Sequence, residues 1–430
     1  MSPRATVRAR VVAVLVATAC SDPAEPPLPD FSVSPATQWS GGTLTIRSPY
    51  FANRTQAPTI TAGRDSLVLN AVDDSTVTTT LPPGASGTVV FGIVRGNRTD
   101  SIGSVQRVGF TEKRTVTPAL EGELLATDSA GTPFVLGGFF TGRGNREPIV
   151  RLRVVPGASQ VLALHQPSNP QYGFAPSIIP GAFTVRDSTD SIRLATLLVD
   201  TPTIIDSMHR WGTGFTRQVA KLSDSLWLVT NSHQSYTRPD SVTSAPTLVN
   251  TESPWAVYMS PSGTRTTLAT TVVSGSGVPV WDNATGSVAF NLPVPYTEAA
   301  AFSADGSVLY AVGGQQIAAD TLVAVDATTG ALAHRTAFPN GLLAMGITYR
   351  EAVGGGQLLV GAATPSSLVL LVYRASTLEL LGSLPTNDAC PDMQAGNCFS
   401  GVVSLDAPHN RAYIVIPGDP TPIWTFDLLP

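Results

Sequence analysis

Three cysteines and five histidines are the residues whose chemistry depends most on spacing in this chain. Cys390 and Cys398 enclose Pro391 to Asn397, a polar loop containing Gly396. In an oxidising compartment, two cysteines this close are expected to form a disulfide that pins the loop. A metal centre would need further donors, and His409 is the one nearby ligand of the usual kind. His165, His209, His233, His334 and His409 are scattered, without pairs at ligand spacing. His233 ends a strand pattern and is the histidine best placed to reach a shared channel, yet nothing near it supplies a partner, so a surface or packing role is preferred. Asp187 and Asp190 match a calcium loop only loosely, without its Gly and closing Glu, and read as a solvated turn. Asp65, Asp73 and Asp74 read in the same way, as surface loop acids. Trp211, Trp227, Trp255 and Trp424 are candidates for a sugar or peptide groove, although Trp227 and Trp255 lie inside strand patterns and read first as core. There is no G-x-S-x-G elbow, H-E-x-x-H, Walker-type loop or C-x-x-C. No catalytic residue, metal ligand or cofactor is therefore assigned.

The remaining cysteine, Cys20, closes a different pattern. Arg4, Arg8 and Arg10 precede an apolar run from Val11 to Ala19, the arrangement of an export signal over residues 1–19. Small residues before Cys20 resemble the lipobox of bacterial lipoproteins, in which the Cys becomes the acylated N-terminus. Ala17 stands where that family usually has Leu. Ala17-Thr18-Ala19 is equally a cleavage site for ordinary signal peptidase, which would leave Cys20 a free thiol. Lipidation of Cys20 is the preferred expectation, because an unpaired exported cysteine otherwise lacks a purpose. Residues 20–30 hold Pro23, Pro26, Pro27 and Pro29 and form an extended tether.

Composition narrows the fold class. Hydrophobic residues make up 43% and charged residues 13%, which is globular rather than disordered. With 38 Gly and 35 Pro among recurrent Val, Thr and Ser, the chain favours short strands and tight turns. A net charge of −5 argues against nucleic acid as a partner. An all-β protein is expected.

Residues 31–111 read as a small sandwich. Leu44 and Ile46 alternate with polar residues, and strand patterns follow at Thr59 to Gly63, Ser75 to Thr78 and Val89 to Val94. Ser34-Pro35, Gly41-Gly42-Thr43 and Pro82-Pro83-Gly84 stand in the order seen in the IPT/TIG immunoglobulin-like domain, which this region resembles. That resemblance implies a spacer or binding module.

From 112 to 430 the chain repeats. Ser260-Pro261-Ser262-Gly263 precedes Ser303-Ala304-Asp305-Gly306 by 43 residues, and Asp282 to Gly286 precedes Asp326 to Gly330 by 44. Two landmarks sharing one period define a unit of short strands, the pattern of a β-propeller blade. The succession of turn, Leu309-Tyr310 strand, Val323-Ala324-Val325-Asp326 strand and Thr329-Gly330 turn resembles the YVTN-type repeat of bacterial surface proteins. Trp281-Asp282 looks like the WD dipeptide and reads as strand-end packing with a turn-initiating Asp. At about 45 residues per blade the region holds about seven blades. Six units are directly countable, and Glu121 to Gly138 is the ambiguous stretch. A strand from near residue 120 is expected to complete the last blade and close the ring.

These readings converge on an exported, lipid-anchored monomer of the bacterial envelope, periplasmic or at the cell surface, and secreted if Cys20 is not acylated. Its propeller would be a scaffold for a protein or glycan, and its partners the membrane and that ligand. The alternative is an exported propeller enzyme, a lactonase-like hydrolase or a dehydrogenase, with a metal or quinone at the channel.

Overall fold

The computed structural model describes the backbone of residues 28–52 and 58–116, of the strands between 121 and 250, and of most of 254–430. Its side chains are described outside residues 116–256. Cys20, Cys390, Cys398, His233, Asp190, Trp211, the export signal and most of the tether lie outside the described residues.

The fold is all-β. The N-terminal part is a sandwich of two sheets. One orders Ser32–Ser34, Thr43–Arg47, Thr76–Thr80 and Asn70–Asp73; the other orders Thr37–Trp39, Arg98–Val108, Gly87–Arg95, Ile60–Ala62 and Asp65–Ser66. Leu44 and Ile46 alternate inward as their pattern predicts, and meet Ile60, Val77, Phe91, Ile93 and Val105 in one core.

Beyond it, the described strands divide into seven four-stranded units, of which blades 4 and 5 are joined into one eight-stranded sheet where Thr270 pairs with Thr297. Blade 1 holds Glu121–Thr127, Pro133–Gly138, Ile149–Val155 and Ala158–His165, so the ambiguous stretch supplies its first two strands. Blade 2 holds Phe174–Pro176, Ala182–Ser188, Ser191–Thr196 and Thr203–His209; blade 3 holds Thr216–Ser223, Leu226–Asn231, Ser235–Pro239 and Thr247–Asn250. Blade 4 runs Pro254–Met259, Arg265–Thr270, Pro279–Asp282 and Ser287–Asn291. Blade 5 runs Tyr296–Phe302, Val308–Gly314, Thr321–Asp326 and Leu332–Ala337, and blade 6 Leu343–Arg350, Gln357–Ala363, Leu368–Arg374 and Leu380–Pro385. Blade 7 has Val402–Asp406, Arg411–Val415 and Thr421–Asp427, and takes Phe110–Val116 as its fourth strand. First strands touch in sequence around the molecule and that of blade 7 meets that of blade 1, so the array closes into a ring.

The closing strand starts at Phe110, ahead of the expected position near 120. Its sequence, Phe-Thr-Glu-Lys-Arg-Thr-Val, is polar because an outermost strand pairs along one edge only, and a polar strand leaves no apolar alternation to read.

The blades pack through a two-way alternation. In blade 5, Leu309, Ala311, Val323 and Val325 face blade 4, where they meet Leu268, Val280 and Trp281. The residues between them, Tyr310, Val312, Leu322 and Ala324, face blade 6 and meet Ile347, Leu358 and Val360. Blade 6 repeats the division, sending Leu359, Leu368, Leu370 and Val372 to blade 7. Successive side chains of a strand point to opposite faces, so a strand buried on both faces becomes a continuous apolar run such as Leu368 to Tyr373. The innermost strands converge on the axis and use small residues, Ala299 to Ala301 and Gly346. Gly313 is required where the second strand of blade 5 passes the first: a β-carbon there would lie 1.9 Å from the Tyr296 carbonyl oxygen.

Leu370→Ala, emptying a fully buried site between blades 6 and 7, is expected to cost about 2–5 kcal/mol in urea unfolding. Leu332→Ser, on an exposed fourth strand, should change stability by less than about 0.5 kcal/mol.

Candidate interaction face

An antiparallel blade sends its turns alternately to the two ends of the ring. The first-to-second and third-to-fourth turns share one end, called here the turn end. The second-to-third turns and the connections between blades share the opposite, loop end.

At the turn end the repeated motifs are consumed by their own backbone. Ser303 Oγ accepts from Val308 N at 3.0 Å and donates to Asp305 Oδ1 at 2.6 Å, and Asp305 Oδ1 also accepts from Ser307 N at 3.0 Å. These bonds, the one from Ser303 foremost, hold the Asp305 carboxyl down at about 2. Asp326 Oδ1 accepts from Thr328 N and Thr329 N, which likewise lowers its carboxyl. Asp282 Oδ1 accepts from Thr285 N at 3.0 Å while Oδ2 pairs with Arg265, and Trp281 is fully buried. The WD-like dipeptide is thus strand-end packing plus a turn-initiating Asp. Asp73, in the sandwich, caps a turn too, its Oδ1 accepting from Ser75 N at 2.7 Å.

Blade 7 varies this pattern. Asp406 replaces the turn serine, is buried, accepts from Tyr413 Oη at 3.2 Å and lies 2.8 Å from His409 Nδ1. Burial, with the Asp406 charge beside it, pushes the Tyr413 phenol well above its usual range. His409 is largely exposed and closes the turn at Asn410, whose φ is 49°. His165, His209 and His334 belong to fourth strands, the ring's outer layer.

By chain length, the longest stretches between described strands are 139–148, 271–278 and 386–401, and the strand ends that flank them lie at the loop end. The last contains Cys390 and Cys398. Near this end, five first strands carry a bulge at the equivalent place, leaving Glu123, Arg217, Trp255, Glu298 and Met345 unpaired in the ladder. A bulge re-aims one side chain. In blade 5 it turns buried Glu298 toward blade 6, where Oε2 accepts from Ala344 N at 2.8 Å and Oε1 accepts from the Tyr296 hydroxyl. In blade 6 it turns Met345 into the core shared with blade 7. Sequence reading missed Glu298; its signal is a lone acid within the apolar run Tyr296 to Phe302. Trp424, a groove candidate by sequence, is instead buried between blades 6 and 7, donating from Nε1 to Asp388 Oδ2 at 3.1 Å.

The sandwich packs on the outer strand of blade 6, at Gly382 and Ser383, and at the turn end of blades 6 and 7, where Arg350 and Asp427 lie. Its Gly-Gly-Thr and Pro-Pro-Gly motifs meet at the contact: Gly41 N donates to Leu81 O, Gly84 N donates to Ser40 Oγ, and Ser383 N of blade 6 donates to Ser40 O. These turns place Trp39, 4% exposed, inside the apolar cluster of blades 6 and 7. Gly382 makes room for it, since a β-carbon there would lie 2.6 Å from that of Trp39. Arg350 lies over the indole at 6.0 Å and donates to Gln357 Oε1 and Leu429 O. Burial lowers the Arg350 guanidinium to about 10.

Residues 32–111 match the IPT/TIG domain family. Among solved structures, the chain is similar to the β-propeller domain of Cps50 (Swd1) from Myceliophteria thermophila, with 10% identity, 73% of this chain and 99% of that one covered, and a TM-score of 0.49. It is also similar to a chain of the Mitotic Checkpoint Complex, with 12% identity, 75% and 95% coverage and a TM-score of 0.48. No curated protein matches the sequence.

Glu298→Ala strands a buried backbone N–H and should cost about 1–3 kcal/mol in chemical denaturation, with Glu298→Gln costing less because one acceptor remains. Asp305 has a folded-state value below its unfolded one, so its stabilisation is present above about pH 4 and fades as pH falls toward about 2. Thermal melts of wild type and Asp305→Asn should converge across that window.

Proposed function

We propose that the chain is an exported envelope protein, anchored through acylated Cys20, whose propeller is a binding scaffold for a protein or glycan. The IPT/TIG domain spaces the ring from the membrane, and the loop end is the binding face. One observation carries this reading: the sandwich contacts run to the outer strand of blade 6 and to Arg350 at the turn end, and among the described residues none reaches the loop-end turns 292–295 and 339–342. Two features support it further. Blades packed on both faces form a rigid platform, and binding residues gather on loops held by such platforms. The charged n-region, apolar run and small residues before Cys20 supply the anchor. The propeller fold alone does not choose a ligand.

Detergent-phase partitioning with intact-mass measurement tests the anchor. The wild type should enter the detergent phase carrying acyl mass on Cys20, and Cys20→Ala should stay aqueous. A wild-type chain that is aqueous and unmodified at Cys20 would sink the anchored reading. For the face, hydrogen exchange with envelope glycan fragments or proteins should slow at 292–295 and 339–342 on the loop end, with 303–307 and 327–331 unchanged.

A further inference from the structure

We infer that the docked sandwich is the latch of the ring: the Trp39 contact with blade 6 holds the closing strand Phe110–Val116 on blade 7, so undocking the sandwich opens the ring between blades 7 and 1. The inference does not rest on the anchor or on any ligand.

Its first ground is covalent. The last sandwich strand, Arg98–Val108, is joined to the closing strand by Gly109 alone. Gly109 O accepts from Asp427 N of blade 7 at 3.0 Å, and Val108 belongs to the same apolar cluster as Trp39. Gly109 is itself hemmed in, for a β-carbon there would lie 2.9 Å from the Gly84 carbonyl oxygen. The sandwich therefore cannot swing as a free body. Moving it breaks the Trp39 contact or strips the closing strand from Thr421–Asp427.

The second ground is the weakness of the closing strand by itself. It has one neighbouring strand, and its side chains are mostly polar. Phe110 meets Phe426 edge-on at 5.8 Å, and Lys113 pairs with Asp388 at 3.3 Å with both side chains about a third exposed, a geometry that adds little. The ladder is antiparallel, and Phe110 lies at the end nearest the sandwich. A load arriving there without the latch peels the pairs one at a time. With Trp39 seated, blade 6 shares the load.

The third ground is the seam that would part. On the face of blade 7 turned away from blade 6, Ser404, Tyr413 and Thr425 form a row across three strands. The hydroxyls of Ser404 and Thr425 are buried there without a hydrogen-bond partner. Such groups regain hydration when a seam opens. Thr266, Thr297 and Tyr373 are similar in blades 4, 5 and 6, so these hydroxyls lower the cost of opening while the borrowed strand of blade 7 selects the place.

Hydrogen exchange of the full chain tests the latch. Trp39→Phe and Gly382→Ala disturb the contact from opposite sides and leave every residue of the closing strand in place. Both should speed exchange at 110–116 and 421–427 by at least about tenfold, with 308–314 and 321–326 in blade 5 unchanged. Faster exchange in the sandwich with 110–116 still protected would overturn the inference. A uniform rise across all blades would overturn it as well, since it would mark general destabilisation.

Discussion

The structure depends on one packing constraint: a blade, as seen at blades 5 and 6 where both faces are described, has no core of its own. Each of its two faces is half of a core completed by a neighbour, as Leu309 and Tyr310 show by pointing into different clusters. The apolar surface thus buried is worth about 1.5–3 kcal/mol per large side chain, and a blade gains it only when flanked on both sides. Linear stacking would leave two bare terminal faces. A ring leaves none, which is why the last three strands of the chain must be brought back to the first blade.

Closure is achieved by borrowing. Blade 7 takes its fourth strand from Phe110–Val116, some three hundred residues earlier in the chain. That exchange ties the sandwich to the ring through Gly109, and the motifs of the sandwich then acquire a second purpose. Gly41-Gly42 and Pro82-Pro83-Gly84 build the end of a small immunoglobulin-like domain and also present Trp39 to blade 6. Ring closure and the seating of the sandwich are therefore one arrangement.

Polar groups divide by end. At the turn end, Asp282, Asp305 and Asp326 are spent on their own turns. Among the described residues, some buried polar groups make blade-to-blade ties, of which Glu298 with Ala344 N is the clearest, and others such as Ser404 and Thr425 stay unpaired. The repeats therefore look chemical in the sequence, rich in Asp, Ser and Thr at fixed spacing, while their carboxylates serve architecture.

The sequence by itself determined the all-β class, the repeat and its period, and the positions of the Asp and Ser turns, because these rest on local alternation and turn chemistry within a few residues. It also displayed the Gly-Gly-Thr and Pro-Pro-Gly order of residues 32–111, now matched to the IPT/TIG family. Only the tertiary structure decided which strand closes the ring, where Trp39 goes, that Trp424 is core, and that a bulge turns Glu298 toward the next blade. Those facts depend on contacts between residues distant in the chain. A polar outer strand such as Phe110–Val116 carries no periodic signal, and Trp39, ending a three-residue strand, gives no local sign of the apolar cluster it joins in another domain.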